Sequence, residues 1–232
     1  MCHQQMHLVS LYHFFGLKES IVSKQITVLN NTFTLHPHGA AFWKEQQMLL
    51  LADAHFGKTA HFRKHGIAVP NGVAETDYAK LKGLVVFFQP KTICFLGDLF
   101  HSYLNSEWIL FEEWAQQTST EKILIKGNHD IIPEHKLEVA GIMVFDKIET
   151  NGFMLTHHPT EAAYFNICGH VHPGIKLKGE GKQYLKLPCF FKSEKQLILP
   201  AFGDLTGTYT LIPTKKDTVF AVTPEEVILI QH

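Results

Sequence analysis

No apolar run in this chain reaches the roughly 18 residues that a membrane-spanning helix requires, so the sequence excludes such a helix. Charge of one sign is also missing. With 21 Lys and Arg against 22 Asp and Glu, the formal charge is −1, and no bulk field draws the whole molecule onto nucleic acid or anionic lipid. Any such binding must come from a local patch. Cysteine is scarce, and Cys2, Cys94, Cys168 and Cys189 form no CxxC pair, which argues against a thiolate zinc site or a disulfide scaffold. Cys94 and Cys168 lie in apolar, strand-like runs and read as buried small hydrophobes of a reducing compartment. The first residues lack a cationic segment and are interrupted by His13, unlike a secretory signal. A cytoplasmic location is expected. Residues 1–22 are expected to be a tail or an artefact of start-site choice, and residues 23–232, free of repeats and long linkers, a single domain.

What the chain has in excess is histidine, with 16 copies against 3 Trp and 6 Tyr, and imidazole is the commonest protein metal ligand near neutral pH. Many of these histidines fall in five short polar clusters: Asp53-Ala54-His55, Gly97-Asp98, Gly127-Asn128-His129-Asp130, His157-His158 and Gly169-His170-Val171-His172. Nearly all follow a short apolar run. Met48 to Ala52, Thr92 to Leu96 and Lys122 to Lys126 read as buried strands, separated by helical periodicity over 73–88, closed by Pro90, and over about 105–117. That alternation is β-α-β-α-β with polar residues at each strand's carboxyl end, where loops converge and ligands sit in open α/β sheets. Ahead of it, 25–29 and 32–36 flank Asn30-Asn31 and predict a hairpin, followed by a run at 40–43. Beyond residue 140, strand candidates at 141–145, 153–157, 164–168, 184–190, 196–200, 218–222 and 226–230 predict a second, antiparallel or mixed sheet. Trp43, Trp108 and Trp114 read as core.

The clusters carry the chemistry of a dinuclear metal site. In an extended strand, residues i and i+2 share a face, so Asp53 with His55, and His170 with His172, can each reach one ion. Gly97 permits a tight turn that leaves the Asp98 carboxylate free to bridge two ions through its two oxygens. Asn128 adds an amide oxygen beside His129, and mixed N and O donors of this kind suit Mn, Fe, Zn or Ni rather than Ca.

The order DxH, GD, GNHD, H, GHxH over residues 53–172 closely resembles the calcineurin-like metallophosphoesterase superfamily. The resemblance implies a four-layer αββα sandwich, with two mixed β-sheets flanked by helices. It implies two divalent ions, manganese first, with iron, zinc or nickel as alternatives. One ion would be held by Asp53, His55, Asp98 and His172, the other by Asp98, Asn128, His157 and His170. Asp98 would bridge, and His129 would be the catalytic histidine, oriented by Asp130. Such a pair of ions lowers the pKa of a water and clamps the phosphoryl oxygens, which implies hydrolysis of a phosphate ester. His158 stands beside His157, and the choice of ligand between them is open.

A closer resemblance spans most of 39–222. Ala52-Asp53-Ala54-His55-Phe56-Gly57-Lys58, His61-Phe62-Arg63, Gly97-Asp98-Leu99-Phe100-His101-Ser102, Leu199-Pro200-Ala201-Phe202-Gly203 and Thr206-Gly207 are similar to the bacterial ligase-associated DNA damage response endonuclease (PdeM) group. Ala54 stands where that group usually has Leu, a packing change. This resemblance implies a nucleic acid substrate and a functional link to a DNA ligase and a helicase. Lys58 and Arg63, within a cationic stretch after the first ligand pair, would then contact phosphate, as would His101 and His158. A solvated helix face is the plainer reading of that stretch, and a helix cap that of His101. Phosphodiester or pyrophosphate hydrolysis on a small nucleotide, a phosphomonoesterase, and a metal-free scaffold of the same fold are the alternative functions.

Overall fold

In the computed structural model the chain is described over residues 21–69, 73–101 and 103–230. The first sheet runs in chain order through β1 (Lys24–Val28), β2 (Asn31–Leu35), β3 (Ala41–Trp43), β4 (Met48–Leu51), β5 (Thr92–Phe95), β6 (Glu121–Ile125) and β7 (Ile142–Phe145). Its first four strands pair antiparallel and the last four parallel. Helices α1 (Lys58–Lys64), α2 (Val73–Phe88), α3 (Ser106–Gln117) and α4 (Glu134–Val139) fall in the connections after β4, β5 and β6. The helical periodicity over 73–88 thus becomes α2, while the expected Asn30-Asn31 turn is displaced by one residue. Leu29 and Asn30, with φ of 47° and 60°, make the reversal, which is the backbone of a type I′ hairpin, and Asn31 opens the next strand.

The second sheet contains β8 (Ile148–Thr150), β9 (Phe153–Leu155), β10 (Phe165–Cys168), β11 (Pro173–Lys178), β12 (Tyr184–Lys192), β13 (Gln196–Ile198), β14 (Tyr209–Thr210), β15 (Thr218–Val222) and β16 (Val227–Ile230). It is mixed, since β9, β10 and β13 run parallel while β12 pairs antiparallel with β11, β13 and β15. The expected α/β architecture of two mixed sheets is therefore present. Alternation along β4 decides how they stack: Leu50 joins Phe33, Trp43, Phe153, Ile167 and Phe190 between the sheets, while Leu49 and Leu51 join Leu81, Phe111 and Trp114 under the helices. A third apolar cluster, around Cys168, Cys189 and Val219, has its buried residues in second-sheet strands and, among the described residues, draws on no helix. Trp43, Trp108 and Trp114 are buried, and the buried cysteines Cys94, Cys168 and Cys189 are free.

Two strands of consequence, β11 and β14, and the short helix α4 were not anticipated from the sequence. The expected tail lies mostly outside the described residues, but Val22 bridges Glu226 and exchanges backbone hydrogen bonds with Glu225 and Val227. Among the described residues no helix is long and apolar enough to cross a membrane.

Candidate metal centre

The polar clusters that follow β4, β5, β6, β9 and β10 meet at one end of the sandwich. Asp53, His55, Asp98 and His157 are buried there, His170 and His172 are half-buried, and Asn128 and His129 are exposed at the rim. In each of three overlapping groups the donor atoms lie within 4.8 Å of one another: Asp53, His55 and His172; Asp53, Asp98 and His157; and His157, His158 and His170. Asn128 completes the last group, its Oδ1 3.0 Å from His157 Nε2, which is in turn 3.1 Å from His170 Nδ1 and 3.5 Å from Asp98 Oδ1. His172 Nε2 approaches Asp53 Oδ1 at 3.3 Å, and His55 Nε2 approaches Asp98 Oδ2 at 3.9 Å.

Convergence does not come from strand geometry, and the i, i+2 expectation is corrected here. Asp53, His55, Asp98, His170 and His172 all lie past a strand end in the left-handed region, with φ of 52°, 48°, 50°, 65° and 49°. Each such residue costs about 1–3 kcal/mol and persists only where the surroundings over-determine it. The surroundings here are specific. Asp53 and His55 donate their backbone N–H groups to the carbonyls of Gly97 and Asp98, and His170 N–H donates to Asp53 Oδ2 at 2.9 Å. Gly97, at φ 84°, has no room for a side chain, because a Cβ there would overlap the His157 imidazole.

Asp130 acts differently from the expected role. Its Oδ2 accepts the N–H groups of Asp98 and Gly127, and its Oδ1 that of Leu99, each at 2.8 Å, so it clasps two ligand loops; among the described hydrogen bonds none joins it to the His129 ring. Burial pushes its carboxyl above the usual range, against these donors. His129 is instead placed through its backbone, whose N–H donates to Asp98 Oδ1 at 2.9 Å.

The donor set fits divalent cations. Asp53 Oδ1, His55 Nδ1 and His172 Nε2 are buried without a hydrogen-bond partner, a costly arrangement unless something else satisfies them. Burial and the nearby Lys58 lower His55 to about 2, which leaves its ring neutral and able to donate a lone pair. Asp53 and Asp98 supply the hard oxygens that an ion of this class prefers.

His101 stands at the mouth, its ring centroid 5.6 Å from both His55 and His129, with Nδ1 buried and unpartnered. Burial and Lys58 lower it to about 4. Lys58 opens α1 close to His55, and Arg63 lies on the exposed side of the same helix. His158 is exposed, its ring centroid 3.9 Å from that of His170.

Two supports carried no sequence signal. Glu107, at the start of α3, is buried and accepts the N–H groups of Gly57 at 2.8 Å and Ala60 at 2.9 Å, so it fixes the turn that follows His55. Lys80 bonds the Phe202 carbonyl and pairs with Asp77 and Asp204, holding a loop whose Phe202 and Gly203 N–H groups donate to Ala52 and Asp53. The Glu107 contacts span 50 and 47 residues and those from Lys80 to the loop 122 and 124, and neither residue belongs to a motif.

No family model matches the chain, and none of the curated proteins does. Among solved structures, the crystal structure of Pseudomonas putida nuclease MPE is similar to it with a TM-score of 0.76 and 27% sequence identity, covering 90% of this chain and 100% of that one. A protein of unknown function from Aquifex aeolicus is 22% identical, with a TM-score of 0.41, over 58% of this chain and 82% of that one, too slight a likeness to carry an argument.

Proposed function

We propose that this protein is a divalent-metal-dependent nuclease that hydrolyses phosphodiester bonds. The observation that carries this reading is the buried junction of Asp53, Asp98 and His157, which links the other two donor groups through Asp53 and His157 and lies beside the unpartnered Asp53 Oδ1, His55 Nδ1 and His172 Nε2. The likeness to a solved nuclease supports the choice of substrate class.

Within this reading the site would take two ions, Asp53, His55, Asp98 and His172 holding one and Asp98, Asn128, His157 and His170 the other. Bound there, such ions supply Lewis-acid polarisation of the phosphoryl oxygens and a nucleophile at neutral pH. The protein's own groups do the rest. His129 stays off the ions, exposed at the rim and tied to Asp98 through its backbone, where its imidazole can give a proton to the departing oxygen. Asp130 keeps the Asp98 and Gly127 loops in register by taking their N–H groups. Lys58 and His101 near His55, the exposed Arg63 of the same helix as Lys58, and His158 beside His170 would orient the phosphate.

Manganese as the working metal, a place in DNA repair beside a ligase and a helicase, and membership of the ligase-associated endonuclease group belong to the same proposal, supported by the sequence motifs. So do a cytoplasmic location, supported by three buried free cysteines, and the treatment of 23–232 as one domain, supported by an apolar core shared between the sheets. The test is incubation of purified protein with Mn²⁺ and either a single-stranded DNA oligonucleotide or small phosphate esters. Cleavage of the oligonucleotide, abolished by a chelator and restored by Mn²⁺, supports the reading. Turnover of small esters with no cut in DNA refutes it.

A further inference from the structure

The hairpin of β11 and β12 leaves the site directly after His172. Its register pairs Ile175 with Leu187, Lys176 with Lys186, Leu177 with Leu185 and Lys178 with Tyr184. Because successive side chains alternate between faces, Ile175, Leu177, Leu185 and Leu187 share one face, and Lys176, Lys178, Lys186 and Tyr184 the other. Ile175, Leu177 and Leu187 close the third apolar cluster, while the four residues of the other face are exposed.

That exposed face is built at a cost. Lys176 stands directly across from Lys186, and like charges placed so weaken a sheet. Among the described residues none of Lys176, Lys178 and Lys186 pairs with a carboxylate. Residues 173–192 hold five lysines and one acid, Glu180 in the turn, within a chain whose net charge is −1. Lys176 Nζ lies 4.0 Å over the Tyr184 ring, and Lys186 Nζ donates to the Thr208 carbonyl.

The face also connects to the candidate metal centre. Tyr209, next to Thr208, donates its N–H to the His172 carbonyl at 2.8 Å and pairs with Pro173, which ties β14 to the start of β11 while its side chain falls on the Pro173 and Ile175 side. At ~3.3 Å per residue, Lys176 and Lys178 stand ~13 and ~20 Å along the strand from His172.

We infer that this lysine face is a track for the phosphodiester backbone of single-stranded nucleic acid passing the site beside His172, with the Tyr184 ring as a surface for an unstacked base. The inference rests on the nuclease reading above. Cations set beside an exposed ring on one face of a hairpin match the charge and flat bases of such a polymer, and contacts of this kind hold it without reading sequence. An anionic lipid surface is the rival occupant.

The experiment measures binding of a labelled 20-nucleotide phosphorothioate strand by the Mn²⁺-loaded full chain across salt concentrations. Cleavage of the ordinary strand is scored in parallel, and melting temperature serves as the folding control. The triple variant Lys176→Gln, Lys178→Gln, Lys186→Gln should bind about ten-fold more weakly or worse. Its slope of log K against log salt should be smaller by about 2, from three phosphates lost at about 0.7 each. If the triple variant melts early, Lys176→Gln and Lys178→Gln taken singly should each lower the slope by about 0.7. Tyr184→Ala should weaken binding several-fold with the slope unchanged. A folded variant with wild-type affinity and slope overturns the track, as does a wild-type chain that does not bind the strand. Loss of binding to phosphatidylserine vesicles without loss for the strand assigns the face to lipid and also overturns it. Lysine-dependent binding without cleavage leaves the track standing and removes the nuclease reading instead.

Discussion

His157 Nδ1 lies 2.9 Å from the carbonyl oxygen of Leu96, and this contact fixes the tautomer of the ring. A carbonyl only accepts, so Nδ1 carries the proton and Nε2 presents a lone pair toward Asn128 Oδ1 and His170 Nδ1. With this lone pair facing the Asn128 oxygen at 3.0 Å, a cation between them would satisfy both. An outer carbonyl that sets the face of a ligating imidazole is a common support of metal sites. The backbone of β5, extended by one residue to Leu96, therefore sets the tautomer of His157, while the ring of the neighbouring His158 is exposed.

From this follows a contrast between adjacent histidines. His157→Ala should lower metal affinity by about 10- to 100-fold or more, whereas His158→Ala should keep its metal and change substrate KM at most. Metal content per chain after Mn²⁺ loading and desalting separates the two. Equal losses would return His158 to the ligand set.

Asp98 touches both halves of the site, its Oδ1 accepting from His129 N–H and its Oδ2 facing His55. Asp98→Asn should therefore deplete metal throughout the site. His129→Asn should leave metal content intact and reduce turnover by about 10²–10⁴-fold, the usual contribution of a proton donor. A metal-free His129→Asn protein would contradict the roles proposed.

Gly97 is where the chain of ligand loops is tightest. Gly97→Ala introduces a Cβ that overlaps His157 at a left-handed φ, so weaker metal binding and a lower melting temperature should appear together. A variant with native metal content and native melting would show that the loop relaxes at no cost.

Glu107 joins α3 to the turn behind His55. Glu107→Gln leaves one oxygen for two N–H groups and should cost about 1–3 kcal/mol, an unsatisfied buried donor. Urea unfolding reads the cost. Because the same turn sets His55 and Lys58, a parallel loss of affinity for metal is expected.

Away from the site, burial lowers His36 to about 3, with His38 adding to the shift. Its ring packs among His38, Phe87 and Phe88, and its Nδ1 accepts the His38 N–H. The unfolded chain binds a proton at about pH 6.5 and the folded one only near 3. Stability from this group is thus complete above about pH 6.5 and falls by up to about 1.4 kcal/mol per pH unit on acidification toward 3. His36→Gln keeps an acceptor for the His38 N–H and should flatten the acid limb of stability against pH by up to one proton. An unchanged slope would place the acid sensitivity in other groups.

Much of the architecture was legible because periodicity is local. Val73–Phe88 and Thr218–Val222 have the bounds that residue patterns predict. β11 was missed although Ile175-Lys176-Leu177-Lys178 alternates, since Pro173 and Gly174 at its head read as a break. α4 was missed because six residues are too few for a helical period to declare itself. For the site, donor types were legible and their supports were not. Asp130 looked like a partner for the adjacent His129, but burial and three converging N–H groups from two loops hold its carboxylate elsewhere.

By itself, then, the sequence determined which donors exist, which strand ends they follow, and that no single-sign charge covers the surface. These are properties of short segments, and short segments record them. Only the tertiary structure decided that left-handed turns gather donors from positions 53 to 172 around buried carboxylates. It alone decided that Leu96 aims the His157 lone pair and that three lysines share one face beyond His172. Each of these depends on chain crossings and strand register, which arise from burial summed over two sheets and leave no mark on the residues nearby.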